Sequence, residues 1–439
     1  MAKIDFHKKA LERMDAGDFA GAERLLSDAR LKEPGWLPIW LIDNDLALCR
    51  FAQGDAASAM TILAQVLVAE PKNSFARINR FYIEAADKVR RAPAPEPQKK
   101  VEEVRGQGPE QPAVTVVMPT YNRAELIAES IRSVQAQTFA DWELVIVNDG
   151  GSREVEATVE LFLADGRIRY AYAKHGGLSS ARNVGMALAR GEYICQLDDD
   201  DVYYPEHLET LHNFLRNNSG CDAAYTDVHR AFQEKRDGQW VTTKKIVPYS
   251  IDFDPRLMRH QSYVPVISLM HARDCIRRAG WYNEHILRAM DWEYFIRLGR
   301  AHPLHHLRAV TCEQRERNDR SQMTRTFEVP RNYYRNLVSY LHGFFPLTGA
   351  RYLASKQGHG ERLKKALDRL IARDPDNFFL QRLELRKLLT EPYYALFYTL
   401  GKRLTDEGLP QPAREAFRAA ATVRPFELRV WLRVLGGGG

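Results

Sequence analysis

Cysteine is scarce in this chain of 439 residues: Cys49, Cys195, Cys221, Cys275 and Cys312 stand singly. An odd count without a C-x-x-C pair excludes a disulfide framework and the common zinc or redox motifs, and it fits a reducing compartment. No apolar run approaches the roughly 18 residues of a membrane-spanning helix, and the start MAKIDFHKKALERMDAGDF lacks the apolar core of a secretory signal. These absences predict a cytoplasmic protein with no transmembrane segment, while the arginine-rich C-terminal third leaves open a peripheral position at the inner face of a membrane. Charge of one sign is also lacking. Lys+Arg 63 against Asp+Glu 57 leaves +6, too even a balance to predict a nucleic-acid partner. With 45% hydrophobic and 27% charged residues the chain reads as globular, and at roughly 100 to 200 residues per domain it holds more than one core.

Composition changes abruptly over 91–112, where five prolines from Pro93 to Pro112 accompany few large apolar groups. That stretch reads as a solvated linker. Before it, over 1–90, Gly17, Ala22 and Pro34 recur as Gly54, Ala59 and Pro71, each 37 positions on. In the C-terminal region, 331–435, the same offsets return in Gly408, Ala413 and Pro425, Gly358 and Pro375 repeat the longer one, and Trp40 and Trp431 hold matching places after their prolines. Small residues let two helices cross closely and proline ends helical bonding, so these segments resemble tetratricopeptide-type hairpins.

From Ala113 to 330 the rhythm becomes short β-rich runs alternating with helical stretches. Val114 to Pro119 reads as a buried strand, followed by Asn122-x-x-Glu125 as a capping box for a helix carrying Ile127, Ile131 and Val134. Leu144 to Val147, Ile168 to Tyr172 and Tyr193 to Leu197 are further strands, with a helix over Leu178 to Arg190. Such alternation predicts an α/β sheet, mostly parallel, with right-handed crossovers. Gln233 to Lys245 reads as a hairpin around Asp237-Gly238.

Ligands of such sheets bind beyond the carboxyl ends of the strands. Thr120-Tyr121-Asn122, Asp149 and the run Asp198-Asp199-Asp200-Asp201 all fall there. Each has a plain structural alternative: a helix cap, a turn residue beside Gly150 and Gly151, and a solvated acidic turn. The aspartate run argues hardest for a site, because clustered carboxylates repel and a hard divalent cation, Mg²⁺ or Mn²⁺, relieves this with oxygen ligands. His175 to Asn183 brings glycines to a helix start, where free N–H groups favour anions. It is neither a Walker loop nor a dinucleotide fingerprint.

PTYNR (119–123), the Asn148-Asp149-Gly150 turn, GGLSSARNVG (176–185) and GEYICQLDDDD (191–201), in this order, resemble family 2 glycosyltransferases of the GT-A fold over about Ala113 to Ser321. The resemblance implies a Rossmann-like, mostly parallel core, with a nucleotide-sugar half over 113–201 and an acceptor half over 202–330, flanked by N- and C-terminal all-α helical-repeat modules. It implies that Thr120 and Tyr121 line a nucleobase pocket, that Asp149 bonds the base, commonly uracil, and that Arg182 lies near base and diphosphate. Asp198-x-Asp200 matches the D-x-D motif, with Asp198 near ribose, sugar or metal, Asp199 sharing the nucleotide contact and Asp200 the direct ligand of Mn²⁺ or Mg²⁺; Asp201 is left as a supporting acid.

The reaction also needs a base to take the acceptor hydroxyl's proton. The family's acidic pair maps to Met290-Asp291, so Asp291 takes that role and Met290 stands where a glutamate is usual. The alternative for Asp291 is a helix cap, and Glu293 is a weaker candidate. Arg315 and Arg317, in the polar segment Glu313 to Ser321, are candidate phosphate contacts. His302, His305 and His306 read better as ordinary histidines than as metal ligands.

Together these imply a metal-dependent inverting transferase moving sugar from a nucleotide-sugar, a UDP-sugar first, to a hydroxyl of a glycan, lipid-linked glycan or protein. The alternative is a non-catalytic scaffold with a degenerate sugar-nucleotide-binding domain. Helical repeats present surfaces to proteins or to other copies of themselves, so a protein partner or self-association through them is a further expectation.

Overall fold

The computed structural model describes residues 2–32, 39–71, 73–259, 262–317 and 331–345, with Arg414 and Phe417. These residues divide between two compact units. The first opens with α1 (Ala2–Asp15), α2 (Phe19–Lys32), α3 (Ile39–Ala52), α4 (Ala56–Ala69) and α5 (Ser74–Arg90). The repeated residues have a physical basis. Gly17 (φ 81°) ends α1 and Gly54 (φ 93°) ends α3 in the left-handed region that glycine enters without penalty. Each ending carries the same pair of bonds: Gly17 N to Met14 O and Asp18 N to Arg13 O in one, Gly54 N to Phe51 O and Asp55 N to Arg50 O in the other. This is a Schellman closure repeated 37 residues on. Ala22 and Ala59, wholly buried, let the paired helices approach. Asp55 caps α4 through Ser58 N, and Asn73 caps α5 through Ala76 N.

The second unit begins at Pro93. Its elements are β1 (Val101–Arg105), β2 (Val114–Thr120), α6 (Ala124–Gln135), β3 (Trp142–Asn148), α7 (Glu154–Glu160), β4 (Ile168–Ala173), α8 (Leu178–Leu188), β5 (Tyr193–Gln196), β6 (Val202–Tyr203), α9 (His207–Asn217), β7 (Ala223–Arg236), β8 (Gln239–Ile246), α10 (Pro255–Met258), β9 (Leu269–Ala272), α11 (Ile276–Ala279), α12 (Met290–Ala301) and β10 (Leu304–Arg317). They form a 10-stranded sheet in the order β1-β4-β3-β2-β5-β9-β7-β10-β6, with β8 beside β7. The run β4-β3-β2-β5 is parallel throughout, as are β7 and β10, while antiparallel pairs join and finish these blocks. Strands β2 and β3 are buried along their whole length, as strands covered on both faces must be. Helix α8 lies so close to β2 that a Cβ at Gly185 would clash with Val117 Cγ1.

Two expectations are corrected. The stretch 91–112 is not all solvated linker, because β1 pairs antiparallel with β4 and forms the sheet's edge. Its alternating, charge-rich VEEVR suits an edge strand, which the prolines around it obscured in the sequence. Asn122 does not cap α6. It sits at φ 55° and its Oδ1 accepts from Ser152 N at 2.6 Å instead, so it ties two loops together. The hairpin of β7 and β8 does turn at Asp237 and Gly238, both with positive φ.

The chain then returns to the helical unit. Helix α13 (Arg331–Leu341) packs on α5. Tyr340 Oη donates to Asn79 Oδ1 at 2.5 Å, Asn79 Nδ2 to Asn44 Oδ1 at 3.1 Å and Asn336 Nδ2 to Tyr82 Oη at 3.2 Å. The Tyr82 and Tyr340 rings stack at 5.0 Å. This buried polar network fixes α13 against α3 and α5. Pro34, Gly358, Pro375, Gly408, Ala413, Pro425 and Trp431 lie outside the described residues, and so does most of the C-terminal module expected over 331–435.

Candidate active site

Parallel strands β2, β3 and β5 release their loops at one edge. Thr120 is buried at the end of β2, in register with Asn148 on β3. Asn148 shapes the next turn by accepting from Gly151 N at 2.8 Å and donating to Tyr170 Oη at 3.0 Å. Asp149 then receives Gly176 N at 2.9 Å on one oxygen and Gly177 N at 2.8 Å on the other, with His175 Nδ1 at 2.9 Å. Burial raises the Asp149 carboxyl above the usual range, and these donors work against that rise. Asp149 thus holds the glycine loop ahead of α8. Tyr121, 47% exposed, stacks on His175 at 4.8 Å and leaves a flat aromatic face beside the same loop.

The aspartate run is not a solvated turn. Asp199, Asp200 and Asp201 are buried, and only Asp198 is partly open. Arginines divide the charge among them. Arg182 Nη2 on α8 donates to Asp198 Oδ1 at 2.7 Å, Arg123 Nη1 lies 3.0 Å from Asp199 and 3.2 Å from Asp200, and Arg317 Nη1 lies 3.3 Å from Asp200. Asp201 accepts from Arg315 N at 2.8 Å. Burial first, and mutual repulsion with it, raise the Asp199, Asp200 and Asp201 carboxyls, with Arg123 or Arg317 opposing. Asp198 and Asp200 offer hard oxygen donors, a set that suits Mg²⁺ or Mn²⁺ when phosphate and water complete the shell.

Asp291 reaches this region from α12. The helix starts at Met290 with Ala289 as its cap residue, so Asp291 is inside the first turn and does not cap it. Its Oδ1 accepts from Trp292 N at 2.8 Å. It lies close enough to Arg182 and Tyr282 for its charge to bear on both, as that of Asp198 does. Met290 is buried, and Glu293 is held by Arg297 at 2.8 and 2.7 Å, so neither adds an available carboxylate.

Several residues outside the sequence-derived set complete the frame. Tyr282 is buried, lies 5.6 Å from the Arg182 guanidinium and stacks on Tyr294 at 4.3 Å. Asn183 donates to Tyr282 O at 2.9 Å and to Glu284 Oε1 at 3.1 Å, while Lys100 Nζ donates to Ser180 Oγ at 2.8 Å and Glu284 Oε2 at 2.5 Å. Arg123 was legible only as part of PTYNR. The signal for it was that four adjacent carboxylates need cations. Arg315 pairs with Glu129 and Glu313. His302 pairs with Asp222, and His306 bridges Asp227 and Asp252, both away from the aspartate run. Residues 318–321 lie outside the described residues.

Known proteins resemble two stretches of the chain. Residues 115–277 match the model for glycosyl transferase family 2, and residues 13–78 match a tetratricopeptide repeat model. An uncharacterized glycosyltransferase of Rickettsia felis is 29% identical over 209 residues, 46% of this chain and 34% of its own length. The uncharacterized glycosyltransferase YwdF of Bacillus subtilis is 28% identical over 188 residues, 42% of this chain and 67% of its own. A crystal structure of S. aureus TarS 1-349 in complex with UDP-GlcNAc superimposes with a TM-score of 0.47 at 17% identity, covering 72% of this chain and 91% of that one. The chain spans about a third of the length of the first curated relatives it matches. No described helix is long and apolar enough to cross a membrane. Residues 115–277 are a family 2 glycosyltransferase domain, and residues 13–78 ahead of it are a tetratricopeptide repeat.

Proposed function

We propose that the chain is a metal-dependent, inverting glycosyltransferase that moves a sugar from a nucleotide-sugar, a UDP-sugar first, to a hydroxyl on a glycan, lipid-linked glycan or protein. The observation that carries this reading is Asp149 with its glycine loop and the Arg182–Asp198 pair at the ends of neighbouring parallel strands, with the charge of Asp291 bearing on the same arginine. Thr120, Tyr121 and Asp149 receive the base, and Asp199 shares the nucleotide contact. Asp198 and Asp200 would hold Mn²⁺ or Mg²⁺, which stabilises charge on the departing diphosphate. Arg123, Arg182 and Arg317 provide fixed cations around the same oxygens. Asp291 takes the acceptor's proton as its oxygen bonds the anomeric carbon and the carbon–diphosphate bond breaks. A single displacement inverts that carbon. The helical unit recruits a protein partner, a protein-borne acceptor or a second copy, and the protein works in the cytoplasm, peripherally at the inner face of a membrane when its acceptor is lipid-linked.

Thermal unfolding with UDP, with Mn²⁺ and with both tests the donor site. A ligand at 100 times its dissociation constant adds about 2.7 kcal/mol to the unit that binds it. Stabilisation should need both ligands and disappear in Asp200→Asn. A parent chain that no nucleoside diphosphate stabilises with metal would return the reading to a scaffold.

A further inference from the structure

At the sheet edge opposite the aspartate run, three side chains from separate segments converge. Asp222 precedes β7, Cys275 follows β9 and His302 ends α12 ahead of β10. The pairing of Tyr193 with Ala272 and of Ala223 with His271 puts these chain ends together, at the start of β5 and so away from its aspartates. A carboxylate oxygen, the thiol sulfur and a ring nitrogen there lie within 4.8 Å of one another.

Three features favour a cation over a simple packing cluster. The donors are one sulfur, one nitrogen and one oxygen, a mixture suited to a borderline-soft divalent ion and not to magnesium. They are already drawn together: Asp222 O accepts Ala272 N at 2.7 Å and the Cys275 thiol at 3.7 Å, and His302 Nδ1 lies 2.8 Å from the carboxylate Oδ2 of Asp222. His302 is buried, and its Nε2 has no hydrogen-bond partner. The closing carbonyls of α12 also lend partial negative charge to the place where His302 stands. Asp222, with its side chain 49% exposed, gives solvent access to a centre whose other two members are buried.

We propose that Asp222, Cys275 and His302 bind one Zn²⁺-class cation through oxygen, sulfur and nitrogen, with the fourth tetrahedral position left to water. Binding breaks the Cys275 S–H bond and releases its proton to solvent, and His302 coordinates as the neutral ring. The ion staples the starts of β7 and β10 to the chain leaving β9. Nothing in this depends on the sugar-transfer reading.

The full chain, stripped with a chelator, is titrated with Co²⁺. One equivalent should give tetrahedral ligand-field bands and a thiolate-to-cobalt charge-transfer band, and Zn²⁺ should displace both. Cys275→Ser should lose the charge-transfer band, and Cys221→Ser should keep it. Asp222→Asn, at a half-exposed position that tolerates change, should weaken binding at least tenfold and decides the matter where Cys275→Ser does not fold. A parent without the band, or a band that survives Asp222→Asn at undiminished affinity, overturns the site.

Discussion

Arg182 and Asp198 join α8 to the loop after β5 through a bond of 2.7 Å between Nη2 and Oδ1. The guanidinium is buried and the carboxylate is 26% exposed, so one end of the pair is sealed and the other is open to solvent. Burial is the largest influence and opposes the arginine's charge, but Asp198, Tyr282 and Asp291 together raise its pKa.

Removing one partner of a buried pair strands the other, at a cost of about 3 kcal/mol or more. Arg182→Met should fall at the low end of that range, because water can reach Asp198. It should also abolish the joint stabilisation by UDP and Mn²⁺. Urea unfolding with and without ligands checks both, and a variant as stable as the parent would deny the pair its structural share.

Asp291→Asn keeps size and the bond to Trp292 N but removes the proposed base. Turnover should drop by about 10²- to 10⁴-fold. The thermal shift with UDP and Mn²⁺ should stay, since Asp291 is assigned to the acceptor side. Loss of the shift together with turnover would move Asp291 from base to donor-binding residue.

The raised carboxyl of Asp201 makes a prediction about pH. In the folded chain it keeps a proton where the unfolded chain, with an ordinary aspartate pKa near 4, has lost it. Fewer protons bound in the unfolded state mean that stability declines as pH rises from about 4 through the folded value. Asp201→Asn carries no such charge and still accepts from Arg315 N. Its stability relative to the parent should therefore grow over that rise in pH, as urea midpoints would record. A constant difference would show that Asp201 is not titrating in the folded chain.

Lys100 stands outside the matched family region, yet its ammonium binds Ser180 on α8 and Glu284 near α12. Lys100→Met should loosen the glycine loop and weaken UDP binding by about tenfold, or 1.4 kcal/mol. Calorimetric titration of UDP in the presence of Mn²⁺ measures this. Equal affinity in parent and variant would reduce Lys100 to a bridge of no consequence for the donor.

Much of this was legible in the sequence because it rests on local rules. Gly17 and Gly54 announce helix ends by the backbone angle they alone enter freely, and VTVVMPT announces a strand buried on both faces. The aspartate run and Asp149 stood at strand ends, where a parallel sheet opens. What stayed hidden depends on partners distant in the chain. Strand β1 needs β4, 65 to 72 positions away, before its charged alternation makes sense. Asn122 looked like a cap because the spacing fits one, and only the turn after β3 offers Ser152 N in its place. The Lys100–Glu284 pair spans 184 positions, and no motif encodes such a contact.

Helix α13 comes after the whole sheet unit in the chain but shares its buried Tyr340 and Asn336 with α5. During synthesis α5 emerges first, and the bonds of Asn79 to Tyr340 and of Tyr82 to Asn336 wait while more than 200 residues of sheet are made before α13 leaves the ribosome. The sheet unit can close on its own contiguous stretch, so it matures before the helical unit is sealed. A cut after Ala92 would then do more than delete an N-terminal appendage: it would expose the aromatic and amide face that α13 turns to α5.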